Sequence, residues 1–219
     1  MKLHSVALRA TGQFPALLLD YLDQKPELND FYSVFPSLDG AKESIHQRAD
    51  FDPAKRATLV EVLTKQYAGI TNPPDFSLLE NENTFTVTTG HQLNIFTGPL
   101  YVMYKIVTTI NLARSLKATY PEYDFIPVYW MASEDHDFEE IASFNLFGQK
   151  YIWQGTPRGA VGRLDPKELE KVLDQLPEAT SILERPTSNM KPWPMLCAIT
   201  CTNSSARKDS SRWMRTMRL

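Results

Sequence analysis

The chain has 219 residues, 42% of them hydrophobic, a composition that buries a core of one large domain or one and a half small ones and excludes a wholly disordered protein. Its formal net charge of -3 at pH 7 excludes a binder that works by neutralising many phosphates, since such proteins carry a clear basic excess. The expected partners are therefore small molecules or protein, and not nucleic acid.

The first thirty residues carry Asp20, Asp23 and Glu27 and no long apolar run, which predicts neither a secretory signal nor a membrane span, and hence a cytoplasmic protein. From Met1 to Phe35, apolar clusters on either side of Pro26 (Phe14, Leu17, Leu18, Leu19, Tyr21 and Leu22; then Phe31, Tyr32 and Phe35) predict short helices and loops packed onto a larger body. Asp52 followed by Pro53 predicts a helix start: the carboxylate accepts orphan N–H groups, and proline suits the first helical position. That helix should run for about 15 residues, to near Tyr67, before Pro73 and Pro74 punctuate the chain.

From Thr84 the sequence TFTVTT, dense in β-branched and aromatic residues, predicts a strand that stops in a turn at Gly90. Thr97, Gly98 and Pro99 predict the start of a helix reaching Ala118, with Leu100, Met103, Val107, Ile110 and Ala113 along its apolar stripe. Residues 125–131 (FIPVYWM) form a short apolar run bounded by Asp124 and by the charged cluster Glu134 to Glu140, as expected for a buried strand of a parallel sheet. These elements spell β-α-β and predict an α/β fold. A helix crossover between parallel strands brings the chain leaving both strands to one sheet edge. Farther on, Phe144 to Phe147 and Tyr151 to Trp153 read as short strands flanking Gly148. Asp165 and Pro166 repeat the helix-start chemistry, with Leu169, Val172, Leu173 and Leu176 on the helix face. There is no internal repeat.

The character changes after Glu184. Asp209 is the only acid against Arg185, Lys191, Arg207, Lys208, Arg212, Arg215 and Arg218, and the apolar periodicity disappears. Read as it stands, residues 185–219 are a disordered basic arm. Met and Trp have one codon each and so fix bases. From Asn189 to Ala198, the frame combining each codon's third base with the next codon's first two gives a helix-like composition, and synonymous choices extend it into an amphipathic helix and an apolar strand. The tail therefore reads as a frameshift. Cys197 and Cys201, the only cysteines, fall inside it, which leaves the rest of the chain without thiol chemistry.

Two constellations could carry chemistry. Thr89, Gly90, His91 and Gln92 follow the first strand, with Thr97, Gly98, Tyr101, Tyr104 and Lys105 close behind. His91 and Gln92 carry donors for a phosphate or carboxylate, and the helix N-terminus near Pro99 adds N–H groups and partial positive charge. This suits an anion or nucleotide, although neither a P-loop nor a dinucleotide fingerprint is present. On the competing reading the tyrosines pack on the sheet and Lys105 is a solvated helix residue. The second constellation is Ser133, Glu134, Asp135, His136 and Asp137, followed by Glu139 and Glu140. Its carboxylates repel one another unless a cation, a bound amine or raised pKa values relieve them; the competing reading places them in the first turn of a solvated helix. No closed metal motif such as HExxH occurs.

The pair TTGHQLNIFTGPLYVMYKI (residues 88–106) and PVYWMASEDHDFEEI (residues 127–141) resembles the bacillithiol biosynthesis cysteine-adding enzyme family, BshC. The likeness runs from Met1 to about Glu184, and the alternate-frame tail resembles the next segment of that family. It implies N-terminal helices and an incomplete Rossmann-like core over residues 1–184, similar to nucleotidyltransferases and class I synthetases. A C-terminal coiled coil used for homodimerisation would lie outside this chain. The implied activity is a ligase adding cysteine to glucosaminyl-malate in the last step of bacillithiol synthesis, with this chain an inactive fragment. An activating cosubstrate, a nucleotide or another, is implied; its identity stays open. By analogy with the synthetases, His91 and Gln92 would hold phosphates, while Asp135, His136 and Asp137 would orient an amine or handle its proton. Thr89, Gly90, Thr97, Gly98, Tyr101, Lys105, Ser133 and Glu134 complete the implied binding set. The alternatives are a metal-dependent hydrolase using His91, Asp135, His136 and Asp137, and a nucleotide-binding module without catalysis.

Overall fold

The computed structural model describes residues 4–68, 73–95, 98–155, 159–164 and 169–176, and the chain divides into two compact units, Met1–Asp50 and Phe51–Leu219. The Asp165–Pro166 helix start and the tail after Glu184 lie outside the described residues.

The first unit consists of short helices, as its broken apolar pattern predicts: α1 (Leu8–Thr11), α2 (Ala16–Leu22), a 3-10 turn (Pro26–Phe31) and α3 (Leu38–Gln47). Ser37 caps α3 by accepting from the Gly40 amide at 3.0 Å. Gly40 lies so close to the Phe35 carbonyl that an added Cβ would sit 2.2 Å from that oxygen, so no other residue fits without moving the turn. Tyr21 meets Tyr32 edge-on at 5.1 Å and Phe35 at 5.4 Å. Arg9 bridges Asp20 and Asp23, and Lys25 adds a second contact to Asp20. These ion pairs are exposed and contribute little on their own.

In the second unit α4 (Pro53–Gln66) begins as expected, with Asp52 accepting from the Ala54 amide at 2.8 Å. A 3-10 turn (Ser77–Glu80) leads into β1 (Thr84–Gln92), α5 (Leu100–Thr119) and β2 (Asp124–Ala132). The strands pair in parallel, from Thr84 opposite Asp124 to Gln92 opposite Ala132. This is the predicted β-α-β unit, and the α/β class holds.

Two expectations are corrected. Gly90 does not end β1: the strand continues through His91 and Gln92. Gly90 is there for proximity, since a Cβ would lie 3.3 Å from both the Cβ and the carbonyl oxygen of Trp130 on the paired strand. The buried face of α5 also differs from the predicted stripe. Val102, Ile106, Thr109, Ala113 and Leu116 are buried, whereas Leu100 and Val107 are exposed. Apolar residues are spread over more than one face of the helix, so two stripes satisfy the helical period and only contact with the sheet selects one.

After β2 the chain forms α6 (Phe138–Ile141), the antiparallel hairpin β3 (Ser143–Leu146) and β4 (Gln149–Ile152), a 3-10 turn (Val161–Arg163) and α7 (Glu170–Leu173). The hairpin turns on Phe147 and Gly148, both with positive φ (51° and 79°), the two-residue geometry that matches strand twist. Leu93, Ile95, Ile141, Tyr151, Trp153, Val161, Leu169 and Val172 form one buried cluster. It anchors the segments that follow both strands of the parallel pair. Among the described residues no helix is long and apolar enough to cross a membrane.

Candidate functional site

The parallel register puts His91 opposite Met131 and Gln92 opposite Ala132, so the two chemistry-bearing segments leave the sheet at the same edge. They are tied together there. The Gln92 side chain, 5% exposed, donates from Nε2 to the Asp137 carbonyl at 3.1 Å, and its Oε1 is buried without a hydrogen-bond partner. His91 Nε2 lies 3.5 Å from Glu140 Oε1.

The His91 side chain is only 7% exposed. Its Nδ1 lies 2.9 Å from the Gln92 carbonyl and 2.9 Å from Asn94 Nδ2, and its Nε2 meets the Tyr101 hydroxyl. Both ring nitrogens are thus engaged by protein. Tyr101 itself is 47% exposed. Loss of solvent and then the Glu140 carboxylate, which also hydrogen-bonds it, raise its phenol above the usual tyrosine range. Lys105 donates from Nζ to the Gly90 carbonyl at 3.0 Å and stands 5.8 Å over the Tyr101 ring. It is pinned to the strand end, neither packed away nor free in solvent. Tyr104 is exposed. Thr89 is half-buried within β1, opposite Tyr129. Thr97 lies outside the described residues. Gly98 has φ +62°, and a Cβ there would fall 2.8 Å from the Asn94 side chain.

At the end of β2 the acids serve the backbone first. Asp135 Oδ1 accepts from the amides of His136 (2.6 Å) and Asp137 (3.2 Å), and Asp137 Oδ1 caps α6 by accepting from the Glu140 amide at 3.2 Å. Glu134, Asp135, His136, Asp137 and Glu139 are exposed. The turn is closed from outside, because the Val161 amide donates to the Asp135 carbonyl (2.7 Å) and the Gly162 amide to the Ser133 carbonyl (2.8 Å). Among the described residues no group of three His, Cys, Asp or Glu side chains converges to hold a metal ion, so the hydrolase alternative has no ligand set in this geometry.

Two residues of the site, Asn94 and Gly162, stand outside the set expected from sequence, and Glu140 belongs to the acidic cluster that the sequence marks but carries no role of its own there. A signal existed for Glu140, because Asp137-Phe138-Glu139-Glu140 has the spacing of a helix cap followed by an acid at the third helical position. Nothing local marks Asn94 or Gly162.

A family model described as "Bacillithiol biosynthesis BshC, N-terminal Rossmann-like domain" matches residues 1–193. Three similar relatives carry the name "Putative cysteine ligase BshC". The protein of Flavobacterium psychrophilum is 52% identical over 170 residues, covering 75% of this chain and 32% of the relative. That of Flavobacterium johnsoniae is 49% identical, covering 77% and 33%, and that of Cytophaga hutchinsonii 38% identical, covering 82% and 35%. The chain spans about a third of the length of these relatives.

Proposed function

Because the chain belongs to the BshC family of bacillithiol biosynthesis, we propose that it supplies the Rossmann-like part of a ligase joining cysteine to glucosaminyl-malate in the last step of that pathway. The observation that carries this reading is the closure of the two strand ends by Gln92 on Asp137 and His91 beside Glu140. It builds a polar corner at the carboxyl edge of parallel strands, where open α/β sheets take their ligands.

The chemistry is acylation of the sugar amine by the cysteine carboxyl group. An unactivated carboxylate does not acylate an amine readily, so an activating cosubstrate, a nucleotide or another, takes up the departing oxygen. Lys105 supplies a donor on the β1 side. The exposed carboxylates of Asp135 and Asp137, with His136, line the β2 side, where they suit an amine that must be oriented and deprotonated before attack. The ligase works as a homodimer through a coiled coil in the part of its relatives that this chain does not span, and the 219-residue chain alone does not turn over.

Mass-spectrometric measurement of bacillithiol in cells with and without the gene tests the assignment. Loss of the thiol on deletion is expected, and an unchanged level refutes the ligase reading. Nucleotide affinity with unchanged bacillithiol would instead mark a binding module. Turnover by the purified 219-residue chain would refute its inactivity.

A further inference from the structure

The parallel pair has two outer edges, and one hydrogen bond at its start shows which backbone groups face each of them. The Asp124 amide donates to the Asn83 carbonyl at 2.9 Å, with Asp124 opposite Thr84. Backbone groups along a strand point alternately to its two sides. Ile126, Val128 and Trp130 therefore turn theirs to β1, and Phe125, Pro127, Tyr129 and Met131 turn theirs outward. On β1 the outward set is Thr84, Thr86, Thr88 and Gly90. Two side chains from outside the pair agree with this, since Arg56 donates to the Thr84 carbonyl and Lys105 to the Gly90 carbonyl.

The two edges differ in what they offer. That of β2 carries Pro127, which has no N–H to give and belongs on an edge strand, and its Met131 carbonyl already accepts from the Ser133 amide at 2.7 Å. On β1, Thr86 and Thr88 each keep an amide and a carbonyl without a backbone partner among the described residues, between the capped carbonyls of Thr84 and Gly90.

The faces of the pair differ too. Side chains alternate along a strand, so His91 shares a face with Phe85, Val87 and Thr89, and its contact with Tyr101 puts α5 there. The opposite face holds Thr86 and Thr88, both exposed, Ile126 and Val128, half-buried, and Trp130, 60% exposed. Parallel strands are ordinarily covered on both faces.

We propose that the open edge of β1 at Thr86 and Thr88 is the docking site for a further parallel strand, supplied by the part of the full-length protein that follows this chain. The matching family model is that of an N-terminal domain, and the chain spans only 32–35% of its relatives, so most of the polypeptide lies beyond it. Handedness ties the edge to the face. A strand joining β1 on the side away from β2 is reached by moving back across β1, against the direction of the β1-to-β2 connection. A right-handed crossover then runs over the face opposite α5, which is the face left bare around Trp130. This docking is independent of the reaction catalysed, so unchanged bacillithiol on deletion leaves it standing.

The test compares the 219-residue chain with the frame-restored full-length protein by residue-resolved hydrogen exchange and by oxidative footprinting of Trp130. In the full-length protein the Thr86 and Thr88 amides are expected to exchange about a hundredfold more slowly, and oxidation of Trp130 to fall at least severalfold. Equal exchange in the two proteins overturns the edge, and equal oxidation of Trp130 overturns the crossover. Protection of Thr86 and Thr88 that rises with the concentration of the 219-residue chain would assign the edge to a second copy and overturn the occupant. Thr88→Pro removes an outward N–H and leaves the ladder between β1 and β2 whole. It should lower the urea midpoint of the full-length protein at least twice as far as that of the 219-residue chain, and equal falls count against the added strand.

Discussion

Replacing Arg56 by methionine is expected to unfold the start of β1 before it disturbs anything else. Arg56 is only 8% exposed, with no carboxylate in ion-pair distance among the described residues. Its guanidinium instead donates to three carbonyls, Thr84 at 2.9 Å, Leu79 at 3.1 Å and Glu82 at 3.2 Å, and lies 5.4 Å from the Phe51 ring centroid. It thereby ties α4 to the turn that launches the first strand. Methionine keeps most of the stem and removes every donor. Leaving an acceptor unpaired costs roughly 1–1.5 kcal/mol each. Against that, the buried Arg56 Nε has no acceptor and the charge itself is costly to desolvate, so the net loss is about 3 kcal/mol. With a urea m-value of about 2 kcal/mol/M the midpoint falls by about 1.5 M. Arg56→Lys should lose about half as much, because a point ammonium cannot serve three divergent acceptors. A midpoint within about 0.3 M of the native chain for Arg56→Met would show that the three carbonyls find other donors and refute the reasoning.

Gly162→Ala places a Cβ 2.6 Å from Ser133 Cβ and 2.8 Å from its carbonyl oxygen. Loss of about 1–3 kcal/mol and faster hydrogen exchange at the Val161 and Gly162 amides are expected, and unchanged exchange would count against the clasp. Phe147, 79% exposed with φ 51°, strains the hairpin and packs little. Phe147→Asn should raise stability by about 0.5–1 kcal/mol in urea titrations, and a loss would show that the ring is packed after all. Burial raises the Tyr67 phenol above its ordinary range, so the neutral form favours the folded state. Its contribution is complete below about pH 10 and lost as pH rises through the raised folded value. Tyr67→Phe should resist alkaline unfolding better than the native chain above about pH 10, and parallel curves would contradict this. Reading the gene across the codon for Glu184 should reveal one base whose insertion or removal restores a long frame, and a frame that ends as written disposes of the shift.

Much of the second unit was legible in the sequence because its signals are local. Asp52 and Pro53 mark the start of α4 through chemistry confined to one turn. The β-branched run from Thr84 and the apolar run near Phe125 mark the two strands, and one helix between them makes parallel pairing the natural outcome. The face of α5 was misjudged where the helix offers two equivalent stripes, Leu100 and Val107 on one and Val102 and Ile106 on the other. The role of Gly90 was misread because its constraint comes from Trp130, on another strand. His91 and Gln92 were found as candidates, but the pairing of His91 with Asn94 and Glu140 was not. Hydrogen bonds to a neighbouring loop and to a later helix leave no periodic trace in the chain.

The clasp of Val161 and Gly162 on the turn after β2 also orders events during synthesis. The chain emerges N-terminus first, so β1, α5 and β2 are available to dock while the carbonyls of Ser133 and Asp135 still face water. The amides that cover them arrive only after the hairpin of β3 and β4 has been made. A nascent chain halted before Val161 holds both strands and an unfinished corner between them.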